Sequence, residues 1–442
     1  MLPQITHRKR CSVVSLNLCS LAETDDLYRP DYTQNIYRVL PTALRCMGVA
    51  LPRGDLFGNQ KTLRHLKAND ATNAHRVIVC IVDSVGIQNF QGTKLAGFFD
   101  ELGGVSLSST FPSITSAAIS SIYMGLPPTA HGILGHVIYF KEYGALIDTL
   151  RMSGATTHFR DAITQAGIDV RALLWEKGIS ELIKGTHPDL IYAQGLPREI
   201  PGTGLGRFYV LREDVISYYG FIDGFGMVNR VLEEYPSTPL LCTVYFPLID
   251  TLAHKYGINS PQYRSGCNTF FHHLREFIEA IPSSEAKKTT IVFCSDHGQN
   301  SFNEDRAIVI TQEEFNEVRD TIKVPPGHSG RVAHFYCKTS QKRRKLKKWL
   351  QSRSEDRGII LDPKELDQSG LLPTPINRGI IQRLGDLLLI GRSGVSLRID
   401  REDYTFDSSA LLPRADLKGN HGSITIEELE TPFLAFKAKN IQ

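Results

Sequence analysis

The sequence predicts a doubly wound α/β fold, in which a mostly parallel central sheet is covered by helices on both faces. Continuous apolar runs occur at 76–83, 239–246 and 289–296. Such runs are typical of central strands that are buried on both sides. Amphipathic segments at 222–235 and 261–281 repeat apolar residues at three- and four-residue intervals, as helices do. Strand and helix patterns that alternate along a chain indicate parallel strands joined by crossover helices.

Composition excludes several other classes of protein. The chain has 442 residues, of which 41% are hydrophobic and 22% charged, so a wholly disordered chain is excluded. Its 50 basic and 47 acidic residues give a formal charge of +3, which provides no general attraction for nucleic acid. The basic run 342–349 is more commonly a solvated helix face, so a nucleic-acid partner is not expected. No apolar run approaches about 18 residues, so we predict no membrane span.

Acids and histidines follow all three predicted central strands. Ligands of such sheets bind beyond the carboxyl ends of the strands, where these side chains should meet. One further histidine stands in a glycine-flanked loop near the end of the chain. Carboxylates and imidazoles without cysteine suit zinc, manganese or iron, and six ligands are too many for one tetrahedral ion. The sequence therefore predicts a two-metal site of the kind used in phosphoryl transfer. The candidate ligands are Asp83, Asp250, His254, Asp296, His297 and His421.

Thr115 is the candidate nucleophile. It follows the strand-like run 104–108 and begins a helix pattern that is rich in small residues. One interpretation is structural, because a threonine hydroxyl often caps a helix. The other is catalytic, because the positive end of a helix and a nearby metal would favour ionisation of the hydroxyl. Free N–H groups at the same helix end can also bind phosphate.

The motif FPSITSAAISSIYMGLPPTAHGILGH, at 111–136, is distinctive enough to indicate one protein family. It resembles the nucleophile motif of the type I phosphodiesterase/nucleotide pyrophosphatase family, a member of the alkaline phosphatase superfamily. The DxxxHxxG pattern at 250–257, SDHG at 295–298 and GNHG at 419–422 resemble later motifs of that family in the same order. Asp83-Ser84 departs from the usual Asp-Gly. The agreement covers about residues 76–436 and extends to about residue 29, where PDYTQNI resembles the start of prokaryotic intracellular members.

The resemblance implies an alkaline-phosphatase-like fold and an enzyme that hydrolyses phosphodiester or pyrophosphate bonds of a small phosphate ester or nucleotide. It implies two divalent metal ions, with zinc preferred and manganese as an alternative. Asp250, His254 and His421 would hold one ion. The second ion would be held by Asp83, Thr115, Asp296 and His297. Thr115 would attack phosphorus and form a covalent phospho-threonine intermediate.

Three alternatives remain open at this point. The same metals would serve a phosphomonoesterase or a phosphonate hydrolase, which differ from the favoured reading only in the shape of the pocket. A catalytically silent binding protein could also keep this fold. The sequence determines neither the substrate nor the oligomeric state.

The resemblance also suggests how the chain is divided. We expect a single catalytic domain over 29–436. The residues themselves suggest a smaller inserted cap subdomain in one of two less regular stretches, 151–235 or about 300–410. The second is favoured, because strand-like runs at 307–310, 331–337 and 387–390 are punctuated there by Pro and Gly. Residues 1–28 would be an extension. Basic residues at 7–10 precede a moderately apolar stretch at 11–22, which is the outline of an export signal, but serines and an asparagine weaken it. We therefore expect a cytoplasmic protein, with export as the alternative.

Overall fold

The computed structural model describes residues 16, 18–21, 24–155, 159–200, 204–206, 215–303, 305–399 and 417–442. Its strands, in chain order, are β1 (Arg76–Val82), β2 (Val105–Ser108), β3 (Val137–Phe140), β4 (Ala145–Asp148), β5 (Ser153–Gly154), β6 (Ile191–Pro197), β7 (Val215–Tyr218), β8 (Leu240–Phe246), β9 (Thr289–Cys294), β10 (Asn300–Ser301), β11 (Ala307–Ile310), β12 (Gly327–Ser329), β13 (Val332–Phe335), β14 (Gly358–Leu361), β15 (Leu387–Gly391), β16 (Ser396–Ile399), β17 (Gly419–Asn420) and β18 (Glu430–Lys437).

Helices connect and cover these strands. In chain order they are α1 (Val39–Cys46), α2 (Gln60–Ala68), α3 (Lys94–Glu101), α4 (Thr115–Met124), α5 (Pro128–His131), α6 (Ala162–Gln165), α7 (Ile179–Thr186), α8 (Phe221–Glu234), α9 (Leu248–Tyr256), α10 (Pro261–Ala280), α11 (Ser283–Ala286), α12 (Gln312–Asn316), α13 (Ser340–Ser354), α14 (Pro363–Ser369), α15 (Arg378–Leu384) and α16 (Ile426–Leu429).

Among the described residues, the main sheet has seven strands in the order β2-β18-β9-β1-β8-β6-β7. Neighbours from β9 to β7 all pair in parallel, whereas β18 is antiparallel to both of its neighbours. The three predicted apolar runs form β1, β8 and β9, which lie side by side. The prediction of a mostly parallel central sheet is therefore confirmed.

Both faces of this sheet are buried, as the continuous apolar runs predicted. Alternate residues of β1 belong to different cores: Val79 packs in the core that contains α1 and α4, and Cys80 in the core that contains α3, α8 and α10. The predicted helices at 222–235 and 261–281 are α8 and α10. Ser260 caps α10 by accepting a 3.1 Å hydrogen bond from the Tyr263 N–H, and Pro261 occupies the first helical position. Helices on both faces make the fold doubly wound.

A second sheet of seven strands, all antiparallel, has the order β14-β15-β13-β12-β3-β4-β5. It combines strands from 137–154 with strands from 327–391, and His328 opposite Val137 joins the two parts. The predicted runs at 331–337 and 387–390 form β13 and β15 in this sheet. The run at 307–310 forms β11, which pairs with β16 instead. The cap boundary at about 300–410 stays a prediction, and its last part, 400–410, lies outside the described residues.

Most of the predicted extension, 1–28, also lies outside the described residues, including the basic cluster at 7–10. The basic run 342–349 lies within α13, and several of its charges are paired, for example Lys342 with Asp320 and Lys347 with Glu365. In the part of the chain that the structure describes, no helix is long and apolar enough to cross a membrane.

Candidate metal centre and active site

The seven predicted site residues converge at the carboxyl edge of the main sheet. Asp83 follows β1, and Asp296 and His297 follow β9. Helix α9 begins directly after β8 and carries Asp250 and His254 one helical turn apart. Thr115 begins α4, and His421 follows β17. The strand order β9-β1-β8 places three of these strand ends next to one another.

One group of ligands consists of Asp250, His254 and His421. Asp250 Oδ1 lies 3.3 Å from His254 Nε2 and 3.5 Å from His421 Nε2, and the two Nε2 atoms are 3.2 Å apart. Two ligand atoms of a tetrahedral zinc ion are separated by about 3.3 Å, as bond lengths of about 2.0–2.1 Å require. The three atoms are therefore spaced as ligands of one such ion.

The second group consists of Asp83, Asp296 and His297. His297 Nε2 lies 3.3 Å from Asp83 Oδ1 and 3.2 Å from Asp296 Oδ2. The Thr115 hydroxyl oxygen is 3.0 Å from the same Nε2 atom. All four side chains thus face one small volume, with separations that again match those of zinc ligands.

The three imidazoles present Nε2 to the site because Nδ1 is engaged elsewhere. Nδ1 lies 3.0 Å from a backbone carbonyl in each case: Gly419 for His254, Gly298 for His297 and Ser113 for His421. A carbonyl only accepts, so Nδ1 carries the proton and donates it. The lone pair of Nε2 then points into the site, which is the arrangement that metal-binding histidines adopt.

The carboxylates are oriented in a corresponding way. Asp83 Oδ2 accepts a hydrogen bond from the Tyr245 hydroxyl, and Asp296 Oδ1 accepts one of 3.2 Å from the Ser84 N–H. Among the described residues, the other oxygens, Asp83 Oδ1 and Asp296 Oδ2, are buried without a hydrogen-bond donor. Buried carboxylate oxygens without a donor are costly, and a bound cation would satisfy them.

The electrostatics indicate the same need for positive charge. Burial, together with the charges of Asp296 and Asp250, raises the pKa of Asp83 well above its usual range. Burial also raises the pKa of Asp296. Burial opposes ionisation of Asp250, but the neighbouring histidines, with His254 contributing most, outweigh it and hold that pKa below its usual value. Burial lowers the pKa of His421, which keeps this ring neutral and able to bind a metal. The chemistry and spacing of both groups fit two divalent ions.

Thr115 is not a helix cap. Ile114 is the N-cap of α4 and makes no side-chain capping bond, while Thr115 is the first helical residue. The capping interpretation of Thr115 is therefore wrong. Its hydroxyl instead faces His297, at the positive end of the helix dipole.

A cavity of about 190 Å³ opens beside Thr115. Asp83, Asp250 and Thr115 line it, and the rest of its walls are largely apolar. These walls contain Ile119, Tyr123, Leu150, Arg160, Leu196, Ile200, Leu205, Gly206, Tyr245, Pro247 and Thr251. A substrate attacked by Thr115 would place its remaining groups in this space.

Two residues that line the site were not predicted from the sequence. Tyr245 is the sixth residue of β8 and could have been noticed as a polar side chain at a strand end. Arg160 lies in a segment without clear periodicity, so the sequence contained no signal for it.

The fold and the site define a phosphoester hydrolase of the alkaline-phosphatase type. Residues 77–424 match the model of the type I phosphodiesterase/nucleotide pyrophosphatase family. This span is more than half of the chain, and the chain therefore belongs to that family, as its motifs predicted. The family is metal-dependent.

Solved structures show the same fold. Murine ectonucleotide pyrophosphatase/phosphodiesterase 5 superposes with a TM-score of 0.59 at 16% identity, over 81% of this chain and 87% of that one. Phosphonoacetate hydrolase from Sinorhizobium meliloti 1021, in complex with phosphonoformate, gives a TM-score of 0.57 at 16% identity, over 82% of this chain and 93% of that one. No curated protein matches the sequence.

Proposed function

We propose that this protein hydrolyses phosphodiester or pyrophosphate bonds through a covalent phospho-threonine at Thr115, with two divalent metal ions, preferably zinc. One observation carries the proposal: two groups of zinc-spaced ligands lie side by side, and the Thr115 hydroxyl is 3.0 Å from His297 Nε2, a member of one of them. A nucleophile in contact with a metal-ligand group is what two-metal phosphoryl transfer requires.

Asp250, His254 and His421 would hold one ion, and Asp83, Asp296, His297 and the Thr115 hydroxyl the other. Bound divalent ions would supply Lewis acidity that favours ionised Thr115 and stabilises charge on the phosphoryl oxygens. The protein's own contribution is orientation, because the Nδ1 bonds of the histidines and the Tyr245 bond to Asp83 fix the ligand atoms.

The covalent steps proceed by in-line displacement. The Thr115 hydroxyl loses its proton to solvent, and Oγ1 forms a bond to phosphorus. The bond from phosphorus to the leaving oxygen breaks, and that oxygen departs with the electron pair and takes up a proton. Water then attacks phosphorus and loses a proton to solvent. The bond between Oγ1 and phosphorus breaks, and Oγ1 keeps the electron pair and takes up a proton, which restores the hydroxyl.

A nucleotide is the favoured substrate class. One of the structures with this fold is an inactive threonine-to-alanine variant of murine ectonucleotide pyrophosphatase/phosphodiesterase 5 in complex with AMP, with a TM-score of 0.56. That complex supports both a threonine-dependent reaction and a small nucleotide ligand for the present chain.

A paired assay tests the proposal. Zinc-loaded and chelated protein would be compared on bis-p-nitrophenyl phosphate and p-nitrophenyl phosphate. We expect turnover of the diester to exceed that of the monoester, to disappear on chelation and to return with zinc. Turnover that survives complete removal of metal would contradict the proposal, and silence on both substrates with metal bound would favour a binding protein.

Phosphonate hydrolysis is the second candidate. The similarity to phosphonoacetate hydrolase favours it, because that enzyme covers 82% of this chain with the same fold. Release of inorganic phosphate from phosphonoacetate, measured in the same assay, would distinguish it. Faster turnover of the phosphonate than of the diester would replace the proposed substrate class, and faster turnover of p-nitrophenyl phosphate would assign a phosphomonoesterase.

A further inference from the structure

The cavity beside Thr115 is lined in part by a charged residue that is not a candidate metal ligand. Among the described residues that line it, Arg160 is the only basic side chain. The neighbouring walls are aliphatic, including Leu150, Ile200 and Leu205. Arg160 is half-buried, and its guanidinium has five N–H donors and a permanent charge, so it can bind an anion that enters the cavity.

The backbone holds Arg160 at this wall. The Asp161 N–H donates to the Arg151 carbonyl at 2.8 Å, and the Leu205 N–H donates to the Leu150 carbonyl at 3.1 Å. These bonds join three chain segments into one surface. Gly204, with φ of +50°, faces the arginine, and a Cβ at this position would lie 3.1 Å from Arg160 Nη1 and 2.3 Å from the Leu150 carbonyl oxygen. The missing side chain therefore leaves room for the guanidinium.

The acids of the cavity do not neutralise Arg160. Asp83 and Asp250 line the same space, but both belong to the metal-ligand groups. Within the described part of the chain, no carboxylate lies within ion-pairing distance, 4.0 Å, of the Arg160 guanidinium. When the acids bind cations, the charge of Arg160 remains available to a ligand in the cavity.

We propose that Arg160 binds a second anionic group of the substrate, one that lies beyond the phosphorus attacked by Thr115. This inference rests on the proposed function and adds to it the charge that the substrate must carry. The second anion is a phosphoryl group, as in a pyrophosphate, or a carboxylate, since both match the fork of a guanidinium. Arg160 would thus determine specificity and would not take part in bond breaking.

Two substrates that differ by one charge test this role. Bis-p-nitrophenyl phosphate has a charge only on the scissile phosphoryl group, whereas P1,P2-bis(p-nitrophenyl) pyrophosphate adds an anionic phosphoryl group beside it. We expect Arg160→Gln to lower kcat/KM for the pyrophosphate about 10-fold to 100-fold, mainly through KM, as loss of a charged hydrogen bond predicts. For the diester we expect a change of less than about threefold. Arg160→Lys should give intermediate values, because it keeps the charge and loses the fork.

Phosphonoacetate as a competitive inhibitor tests the carboxylate. If only its inhibition constant rises in Arg160→Gln, the second anion is a carboxylate; if only the pyrophosphate is affected, it is a phosphoryl group. Arg171→Gln, which removes an exposed arginine paired with Glu181, is the matched control and should change neither.

The inference about Arg160 can fail separately from the proposed function. Equal losses on both substrates, or no loss on either together with an unchanged inhibition constant for phosphonoacetate, would overturn the role of Arg160 while hydrolysis by the unmodified protein continued. If the unmodified protein hydrolyses neither substrate, calorimetric titration of the zinc-loaded protein with inorganic pyrophosphate and with phosphonoacetate still decides the question. Equal affinity of the unmodified protein and Arg160→Gln for both anions would exclude the role.

Discussion

The imidazole rings of His297 and His421 stack face to face, with centroids 3.7 Å apart and planes 18° apart. Each ring belongs to a different ligand group, so this contact joins the two groups into one centre. Two protonated imidazoles would repel each other at this distance, and burial keeps His421 neutral. The stacked pair therefore fits a site in which both rings bind metal through Nε2.

His254→Ala should reduce the metal content from two ions per chain to one. The substitution removes one Nε2 ligand from the Asp250 group and leaves Asp83, Asp296 and His297 unchanged. Elemental analysis of dialysed protein measures the content. His187→Ala is the control, because His187 follows α7 and belongs to none of the candidate ligand groups. Two ions per chain in His254→Ala would contradict the assignment of this ligand.

Thr115→Ala should lower the rate of phosphodiester hydrolysis roughly a thousandfold or more, since no other side chain would accept the phosphoryl group. The fold should persist, because Ile114 rather than Thr115 is the N-cap of α4. Thr115→Ser keeps a hydroxyl at the same position and should retain part of the activity. Steady-state kinetics with circular dichroism as a folding check measures both variants. Near-normal turnover by Thr115→Ala would exclude Thr115 as the nucleophile.

Tyr245→Phe should weaken metal binding about 10-fold to 100-fold, as the loss of a group that orients a metal ligand commonly does. The Tyr245 hydroxyl donates to Asp83 Oδ2, which keeps Oδ1 directed into the site. Burial and the neighbouring Asp83 raise the pKa of Tyr245, so the hydroxyl keeps its proton for this bond. Competition with a chelator gives the affinity. Tyr263→Phe, which removes a buried hydroxyl bonded to the Ser84 carbonyl, is a control for general destabilisation.

Much of the fold and the grouping of the candidate metal ligands could be predicted, because strong local patterns in the sequence encode them. The runs that form β1, β8 and β9 are largely apolar, since each strand is covered on both faces, and an acid follows each strand within four residues. The second sheet was harder to predict. Its paired strands β3 and β12 lie far apart in the sequence, and β12 is only three residues long. The position of Arg160 depends on backbone contacts between three segments, which no local pattern encodes.

Glu428→Gln should lower the free energy of unfolding by about 3–5 kcal/mol, the usual effect of breaking a buried ion pair. Arg331 Nη1 donates to Glu428 Oε2 at 2.6 Å, and both side chains are fully buried. The Arg331 N–H also donates to the His421 carbonyl at 2.9 Å, so the pair supports the loop that carries a metal ligand. Urea denaturation of metal-free protein measures the change. Glu279→Gln, which breaks an exposed pair with Arg275, should have little effect.

His65 provides a pH-dependent contribution to stability that lies outside the metal centre. Its Nε2 accepts a 2.8 Å hydrogen bond from the Ala435 N–H, and its Nδ1 lies 3.0 Å from the Gly103 carbonyl. Burial lowers the pKa of His65 from 6.5 to about 4. The folded protein thus binds a proton less readily than the unfolded chain. The stabilisation is complete above pH 6.5 and is lost as the pH falls from 6.5 towards about 4.

His65→Gln should therefore flatten the pH dependence of stability. The glutamine side chain can accept a hydrogen bond from the Ala435 N–H but does not titrate. Between pH 7.5 and pH 5, the unmodified protein should lose ~2 kcal/mol more unfolding free energy than the variant, because the unfolded chain gains a proton that folded His65 does not. Urea denaturation of both metal-free proteins at the two pH values gives this difference. The contributions of all other titrating groups are the same in the two proteins and cancel. Equal losses in the two proteins would mean that His65 is already protonated in the fold at pH 5, so that burial does not lower its pKa.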